Sequence, residues 1–392
     1  MFGGKFMRPI PLIMVSILFL TCSASSAVED GEAHRVGVSL SLTGEYSESG
    51  RKALAGVRLR IDDHNAALPA GAKRIELVVR DDKSEADSAA ENVAILAESG
   101  VPVIIGPLST GLMLAMRPEL EKHGVVLVSP SATSPRIGRS GDWAFRVLFD
   151  DEFQGIALAR FLAERAGMKR AAAIINDKFA YADSMFAAFA AEFSRLGGTV
   201  TKEEHYSFVA EDEATYDFTP ILERVAQSAP DTVLLPLHSA EIADIVRRST
   251  GMGLPLRFCG GDTWQHENIL LSGGNNLENA YFVGSIDYNS GTPEMRHFIY
   301  LYDHSNDTNA QLSSVMGYDA ASVVIEGLKN GDTGEKIKEG LYAIRELRLA
   351  TGVLSVNPVR GSEKSAYIHR INMVDGDFKS AIVDEIKPIV TK

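Results

Sequence analysis

The chain has 392 residues, of which 45% are hydrophobic and 23% charged, with 34 glycines, 15 prolines and two cysteines. These proportions are those of an ordinary globular protein, which excludes a disordered chain, a collagen-like fibre and a disulfide-rich miniprotein. The 39 basic and 52 acidic side chains give a net charge of −13, which disfavours nucleic acid as a partner because its backbone is also negative. The length is enough for two domains.

The first 27 residues have the layout of a secretory signal peptide. Two basic residues precede a nearly unbroken apolar run, Ile10–Thr21, and small residues follow up to Ala27. A membrane span takes about 20 residues, so this run is too short to be one. We therefore expect residues 1–27 to be a signal peptide that is removed, and the remaining chain to be periplasmic.

Cys22 offers an alternative to simple cleavage. A cysteine just after an apolar run can carry lipid and hold a bacterial protein on its membrane. Phe19 and Thr21, however, stand where the lipid-attachment pattern usually has leucine and a glycine or alanine, so the soluble product is the favoured prediction. Loss of Cys22 leaves Cys259 alone, which rules out an intrachain disulfide.

From Arg35 onward, short β-rich runs alternate with longer runs of helical periodicity. Four strands with three helices between them are predicted over residues 35–129, and a second series of the same kind over residues 170–259. This alternation is typical of a parallel sheet with helices on both faces. Two α/β lobes are therefore predicted, with the chain passing between them near Arg146–Asp151.

Three loops rich in glycine and hydroxyl side chains follow predicted strands: Leu42–Gly50, Gly106–Gly111 and Ser129–Pro135. Ligands of parallel α/β sheets bind outside the carboxyl ends of the strands, where these loops must lie. Amides at a helix start, with hydroxyls beside them, suit a carboxylate. Simple helix capping by Ser109 explains the second loop without a ligand, and a proline-rich turn explains part of the third.

Four segments in order resemble the periplasmic leucine/isoleucine/valine-binding protein family, the solute receptors of branched-chain amino-acid-type ABC importers. They are Val36–Gly44, Gly106–Thr110, Ser129–Thr133 and Gly317–Ala321. The likeness runs from about Arg35 to the C-terminus with the spacing of the family. No single segment is diagnostic, but the ordered set is fairly specific.

The resemblance implies an α/β protein with the type I periplasmic-binding-protein fold. In that fold two Rossmann-like lobes with parallel sheets are joined by three hinge crossings, and one ligand is buried between them. The N-terminal lobe would comprise residues 35–148 and 287–352. The C-terminal lobe would comprise residues 149–286 and 353–392.

The resemblance also implies which residues hold the ligand. Hydroxyl groups of two turns bind its carboxylate, two tyrosines close on it, and an acidic residue receives its ammonium. Such an arrangement gives a partner to both charges of a buried zwitterion, because each charge is costly to leave unpaired. The matching residues are Tyr46, Ser109, Ser131, Ala132, Thr133, Tyr181 and Asp262.

His238 and Trp264 mark departures from the family pattern. His238 stands in a strand end that is rich in glycine and aromatic residues in many members. It is either a ligand-binding residue or a loop histidine, and the sequence favours neither. Trp264 either walls the pocket or belongs to the core. These departures leave the identity of the ligand open.

We therefore expect the solute-binding protein of an ABC importer, which captures a branched-chain or aliphatic amino acid, or a related small carboxylate, and delivers it to a membrane permease. A monomer without cofactor or metal is expected. The alternative is the same fold binding an amide, an aromatic acid or another solute, or serving as a ligand-sensing subunit.

An enzyme is not expected. The nine histidines include no HExxH motif, and the chain has neither a GxxxxGK[ST] phosphate loop nor a complete dinucleotide fingerprint. The adjacent acid pairs Asp81-Asp82 and Asp150-Asp151 are interpreted as solvated faces or turn caps, because neighbours in sequence diverge on a strand or a helix.

Overall fold

The computed structural model describes residues 33–137, 142–208, 216–272, 274–305, 311–357 and 361–388. The predicted signal peptide, residues 1–27 with Cys22, lies outside these ranges. In the described part of the chain, no helix has the length and apolar character needed to cross a membrane.

Strands and helices alternate through most of the chain. The strands are β1 (His34–Leu40), β2 (Ile75–Asp81), β3 (Val103–Ile105), β4 (Val126–Ser129), β5 (Ala144–Arg146), β6 (Arg170–Asn176), β7 (Thr199–Tyr206), β8 (Thr232–Leu234), β9 (Phe258–Gly260), β10 (Tyr281–Gly284), β11 (Leu347–Leu349), β12 (Gly352–Asn357), β13 (Gly361–Glu363), β14 (Ala366–Val374) and β15 (Asp377–Ile386). The helices are α1 (Ser47–Ala67), α2 (Ala86–Glu98), α3 (Thr110–His123), α4 (Asp151–Arg160), α5 (Ala180–Arg195), α6 (Thr219–Gln227), α7 (Ser239–Gly251), α8 (Glu267–Leu271), α9 (Pro293–Ser305), α10 (Leu312–Leu328) and α11 (Gly334–Tyr342).

The first lobe is built on a parallel sheet of five strands in the order β2-β1-β3-β4-β5. Its central strand β3 is apolar and completely buried, as expected for a parallel sheet covered on both faces. Helices α1 and α10 pack on one face beside Val36 and Val128, and α2 and α3 pack on the other beside Ile104. The predicted parallel α/β order is confirmed.

The second lobe is built on a sheet of seven strands in the order β15-β14-β10-β9-β8-β6-β7. Strands β6 to β10 are parallel, whereas β14 and β15 form an antiparallel hairpin that completes one edge. Helices α6 and α7 cover one face and α4 and α5 the other. The edge strand β15 is mostly exposed.

Three crossings join the lobes. The first runs from β5 to α4, where the buried Arg146 donates to the carbonyl oxygens of Ser134 and Ile137 and to the carboxylate of Asp150. The second runs from β10 to α9, and the third from β13 to β14. The crossings hold the carboxyl ends of the two parallel sheets near each other, which makes a cleft between the lobes.

A buried cluster fixes the third crossing. Asp319 of α10 accepts hydrogen bonds from the amides of Ala350 and Thr351 at 2.8 and 3.0 Å. The Nζ of Lys364 lies 3.9 Å from the same carboxylate, and its burial lowers the pKa of the ammonium to about 8. The resembling segment Gly317–Ala321 therefore contributes a structural anchor at the hinge.

The lobe boundaries implied by the resemblance stay a prediction. Leu354 and Val356 of β12 pack in the core of the first lobe although the expected boundary follows residue 352. The chain pairs again with the second sheet at β14, where Tyr367 lies opposite Gly284.

Candidate functional site

The Gly106–Gly111 loop joins β3 to α3 at the carboxyl edge of the first sheet. Ser109 is the N-cap of α3, and its Oγ accepts a hydrogen bond from the amide of Leu112 at 3.3 Å. Gly106 has a φ of +121°, and a Cβ added there would lie 1.8 Å from the carbonyl oxygen of Ser39. The backbone therefore approaches β1 more closely than any side chain would allow.

The Ser129–Pro135 loop is bonded to the Gly106–Gly111 loop along its length. The Ser129 hydroxyl donates to the carbonyl oxygen of Pro107 at 2.6 Å and accepts from the amide of Ala132 at 2.9 Å. The Ser131 hydroxyl donates to the carbonyl oxygen of Leu108 at 2.8 Å. The two predicted hydroxyl loops thus form one cross-linked frame beside the N-terminus of α3.

The Leu42–Gly50 loop is held by a carboxylate from the next strand. Asp81 accepts from the amide of Leu42 at 2.8 Å and from the hydroxyl of Thr43 at 2.6 Å. These hydrogen bonds lower the pKa of Asp81 against an opposing effect of its burial. Tyr46 follows this anchored turn as the residue before α1, and burial raises the pKa of its phenol.

Thr133 connects the hydroxyl frame to the second lobe. Its carbonyl oxygen accepts from the amide of Asp151 at 2.9 Å, and its side chain acts to lower the pKa of the Asp151 carboxyl. Asp151 starts α4, is fully buried, and receives a hydrogen bond of 2.6 Å from the Ser184 hydroxyl. Burial raises the pKa of Asp151 to about 7, and the charge of Asp262 raises it further.

Asp262 is the second buried carboxyl of this cluster. It follows β9 in a short 3₁₀ turn, and its amide donates to the Oε1 of Gln154 at 3.0 Å. Its Oδ1 is buried and has no hydrogen-bond partner among the residues that the structure describes. Burial raises the pKa of Asp262 to about 6, although the nearby polar side chains of Tyr181 and Gln154 act to lower it.

An aromatic series links Asp262 to the first lobe. Tyr181 is buried beside Asp262, and burial with the two nearby carboxylates raises the pKa of its phenol. Its ring lies 5.2 Å from that of Phe179, which stacks on His238 at 3.7 Å and 23°. The ring of Tyr46, from the first lobe, lies 6.2 Å from that of His238.

The structure therefore brings most of the sequence-predicted residues into one connected cluster across the cleft. Neighbouring rings run from Tyr46 to His238 and on through Phe179 to Tyr181. Tyr181 lies beside Asp262, and Asp262 is connected through Asp151 to Thr133. Ser109, Ser131 and the buried Ala132 lie in the bonded loops next to Thr133.

His238 and Trp264 take defined structural positions. His238 is the N-cap residue of α7, where its amide donates to Glu241 at 3.1 Å, and burial lowers the pKa of its imidazole. A neutral imidazole that faces Tyr46 is compatible both with a ligand-binding residue and with a loop histidine. Trp264 is buried, and its Nε1 donates to the carbonyl oxygen of Leu235 at 3.0 Å. Trp264 is thus a core residue.

Sequence reasoning missed three members of the cluster: Asp151, Gln154 and Phe179. The interpretation of Asp150-Asp151 as a solvated face or turn cap is confirmed for Asp150, which caps α4 by accepting from the amide of Phe153 at 2.8 Å. It is wrong for Asp151, which α4 and α5 bury completely. The only signal for Phe179 was its place two residues before Tyr181.

The cluster offers groups that can bind both ends of a small charged molecule. Among the residues described, no group of three or more His, Cys, Asp or Glu side chains is arranged to hold a metal ion. The cleft instead offers a helix N-terminus with hydroxyls on one side and buried carboxyls with aromatic rings on the other.

Comparisons with known proteins agree with this geometry. A family model described as periplasmic binding protein matches residues 33–372. A Leu/Ile/Val-binding protein homolog from Brucella melitensis is 23% identical over 324 residues, which cover 82% of this chain and 86% of that protein.

Solved structures share the fold over nearly the whole chain. A leucine-binding protein from Thermotoga maritima is 25% identical with a TM-score of 0.79, and the match covers 90% of this chain and 99% of that one. The solute-binding protein of an ABC transporter from R. palustris, solved with benzoate, is 20% identical with a TM-score of 0.77, covering 92% and 98%.

Proposed function

Because the chain belongs to the periplasmic binding protein family, we propose that it is the solute-binding protein of an ABC importer and that it binds a small α-amino acid of the branched-chain or aliphatic type, or a related small carboxylate, in the cleft between its lobes. The ligand is then delivered to a membrane permease. The names of the Brucella melitensis and Thermotoga maritima relatives support this ligand class.

The first lobe provides the carboxylate end of the proposed site. A carboxylate at the start of α3 would meet the amides of its first turn, the positive end of the helix dipole and the hydroxyl of Ser109, which accepts from Leu112 and keeps its own proton to donate. Ser131 and Thr133 lie beside it, and Ser131 would join by turning its hydroxyl from the carbonyl oxygen of Leu108 to the ligand. The hydrogen bonds between the two loops hold these donors in place before the ligand arrives.

The second lobe provides the ammonium end, and one observation carries the proposal. The Oδ1 of Asp262 is buried without a hydrogen bond in the described structure, which is costly unless a donor arrives from elsewhere. A ligand ammonium supplies both the donor and the opposite charge. Asp151, one hydrogen bond from Thr133, places a second buried carboxyl in the same region.

The placement of the chain in the cell is part of the proposal. The family is one of periplasmic proteins, and residues 1–27 would direct export and then be removed. We favour a soluble monomer over lipid attachment at Cys22. The lobe boundaries implied by the resemblance would make closure of the cleft a rotation about three crossings.

Calorimetry on ligand-free protein tests the function. The protein is unfolded, dialysed and refolded to remove any bound solute, and is then titrated with leucine, isoleucine, valine and benzoate. We expect at least one amino acid to bind with a Kd in the micromolar range or below, and Asp262→Ala to abolish that binding. The matched control is Asp303→Asn, an exposed acid on α9, which should bind as the parent does.

Two outcomes would count against the amino-acid proposal. Folded, ligand-free protein that binds none of the amino acids would contradict it. Binding of benzoate alone, abolished by Asp262→Ala, would favour the alternative of an aromatic acid in the cleft. The rings of Tyr46, Phe179, Tyr181 and His238 and the protonated form of Asp262 are the supporting features. Mass spectrometry of the solute that co-purifies with the protein would name the ligand directly.

A further inference from the structure

A cavity of about 540 Å³ lies between the lobes beside the second crossing. None of the eight residues predicted for the ligand site lines it. We call it the hinge chamber, and Lys52, Gln265, Phe282, Tyr288, Leu312 and His369 mark its walls. The chamber is large enough for a small molecule, since ligand pockets commonly enclose about 300–1,000 Å³.

A row of stacked aromatic rings forms the floor of the hinge chamber. Phe282, His369 and Ile382 are neighbours across β10, β14 and β15, so their side chains share one face of the sheet. The rings of Phe282 and His369 stack at 4.6 Å and 10°, and the ring of Trp264 lies 6.4 Å from Phe282 and nearly parallel to it. A further planar ring can extend such a row or pack edge-to-face against it.

His369 is a polar group without a partner in this floor. It is 5% exposed, and neither ring nitrogen has a hydrogen bond within the described residues. Burial lowers the pKa of the imidazole to about 4, so the ring is neutral near pH 7. A buried polar group of this kind is unusual unless something outside the chain completes it.

One rim of the chamber favours an anion. The amides of Leu312 and Ser313, in the first turn of α10, have no acceptor in the part of the chain that the structure describes. Lys52 lies on the same rim, 2.6 Å from the carboxylate of Glu48. Among the described residues that line the chamber, the one acid is Asp287, whose Oδ1 accepts from the amide of Asn289 at 2.9 Å.

We propose that the hinge chamber binds a second small molecule, an aromatic carboxylate, with its ring on the floor formed by Phe282 and His369 and its carboxylate at Lys52 and the first turn of α10. The helix dipole and the ammonium of Lys52 both stabilise the negative charge there. This site uses none of the eight residues predicted for the cleft site, and the proposal does not depend on which solute the cleft binds.

An occupant of the hinge chamber would act on lobe closure. Lys52 and Leu312 come from the first lobe and Phe282 and His369 from the second. Gln265 also ties the chamber to the second crossing, because it accepts from the amide of Ser285 at 2.9 Å and donates to the carbonyl oxygen of Ile286 at 2.7 Å. The bound molecule therefore favours the lobe arrangement that forms the chamber.

Fluorine NMR of the full-length protein with 4-fluorobenzoate tests the proposal. Ile382→Trp places a large ring in the chamber from an edge strand where Ile382 is 36% exposed. The matched control is Val383→Trp at the next residue, which is 46% exposed and does not line the chamber. We expect Ile382→Trp to weaken binding at least tenfold, and Val383→Trp and Asp262→Asn to leave it within about twofold.

The same probe tests the carboxylate end. Lys52→Gln should weaken 4-fluorobenzoate about tenfold but leave the neutral analogue 4-fluorobenzamide unchanged. The proposal is overturned if folded protein does not bind 4-fluorobenzoate, if Ile382→Trp and Val383→Trp have equal effects, or if Asp262→Asn removes all binding. The last result would assign the probe to the cleft.

Discussion

The two sides of the candidate cleft differ in how far their polar groups are already satisfied. On the first lobe, the hydroxyls of Ser109 and Ser131 each have an intramolecular hydrogen bond. On the second lobe, the Oδ1 of Asp262 is buried with none among the described residues. The hydroxyl groups of the first lobe have hydrogen-bond partners before a ligand binds, whereas the carboxylate of Asp262 on the second lobe gains its partner from the ligand.

This difference changes the interpretation of the hydroxyl loops. Their serines cap a helix and bond neighbouring carbonyl groups, as the simpler sequence interpretation held for Ser109. Such contacts stabilise the frame and need no ligand to explain them. The discrimination between solutes is therefore expected from the carboxyls of Asp151 and Asp262 rather than from the serines.

Substitution of Gly106 should break the frame most severely. A Cβ there would meet the Ser39 carbonyl oxygen at 1.8 Å with φ at +121°, so we expect Gly106→Ala to lower the free energy of unfolding by about 4 kcal/mol or more. Gly111→Ala is the control, because nothing lies within 4 Å of its Cβ and alanine favours a helix by roughly 1 kcal/mol. Urea unfolding measures both, and equal effects would contradict the close approach.

The buried carboxyl pair should reveal itself in the pH dependence of stability. The pKa of Asp151 is about 7 in the folded ligand-free protein against 3.8 for an ordinary aspartate. The folded state therefore keeps this proton to a higher pH than the unfolded state does. As a result, the free energy of unfolding falls as the pH rises from about 4 to about 7. Asp151→Asn should remove this fall, on the order of 3 kcal/mol.

Urea unfolding of the ligand-free protein at pH 4.5, 6 and 8 tests the carboxyl pair. As the pH rises, the free energy of unfolding of the parent should fall relative to that of Asp151→Asn. Asp303→Asn, an exposed acid, serves as the control and should follow the parent at every pH. A difference for Asp151→Asn that stays constant with pH would show that its carboxyl has an ordinary pKa.

Loss of the Ser109 hydroxyl should have the smallest effect. Ser109→Ala removes an N-cap and is expected to cost about 1 kcal/mol of stability and about tenfold in amino-acid affinity. Thr333→Ala is matched to it, since Thr333 caps α11 through the amide of Lys336 and lies outside the candidate cluster. It should cost similar stability with no change in affinity, as followed by thermal unfolding and calorimetry.

Much of the fold was predictable because each element carries its own periodicity. Both predicted series of alternating strands and helices are present, the first including helix α2 and the second strand β6. Helix α11 was not predicted, although Thr333 caps it. The pairing of β14 with β10 was not predictable from the sequence either. An antiparallel strand at the edge pairs with whichever strand the rest of the sheet leaves unpaired.

The candidate site was predictable only where motifs follow strands. The loops at Ser109 and Ser131 lie at the sheet edge because strand order places them there. The burial of Asp151 was not predictable, because Asp150 beside it is of the same residue type and serves as a cap. Only the packing of α4 against α5 makes one of these neighbours a cap and the other a buried charge.

The central claim is that Asp262 recognises the ammonium of the ligand. Calorimetry with leucine and with 4-methylpentanoate, which is leucine without its amino group, tests it in the parent protein and in Asp262→Asn. We predict that the parent prefers leucine by about a hundredfold or more and that the variant reduces this preference to less than tenfold. An undiminished preference in Asp262→Asn would contradict the assignment.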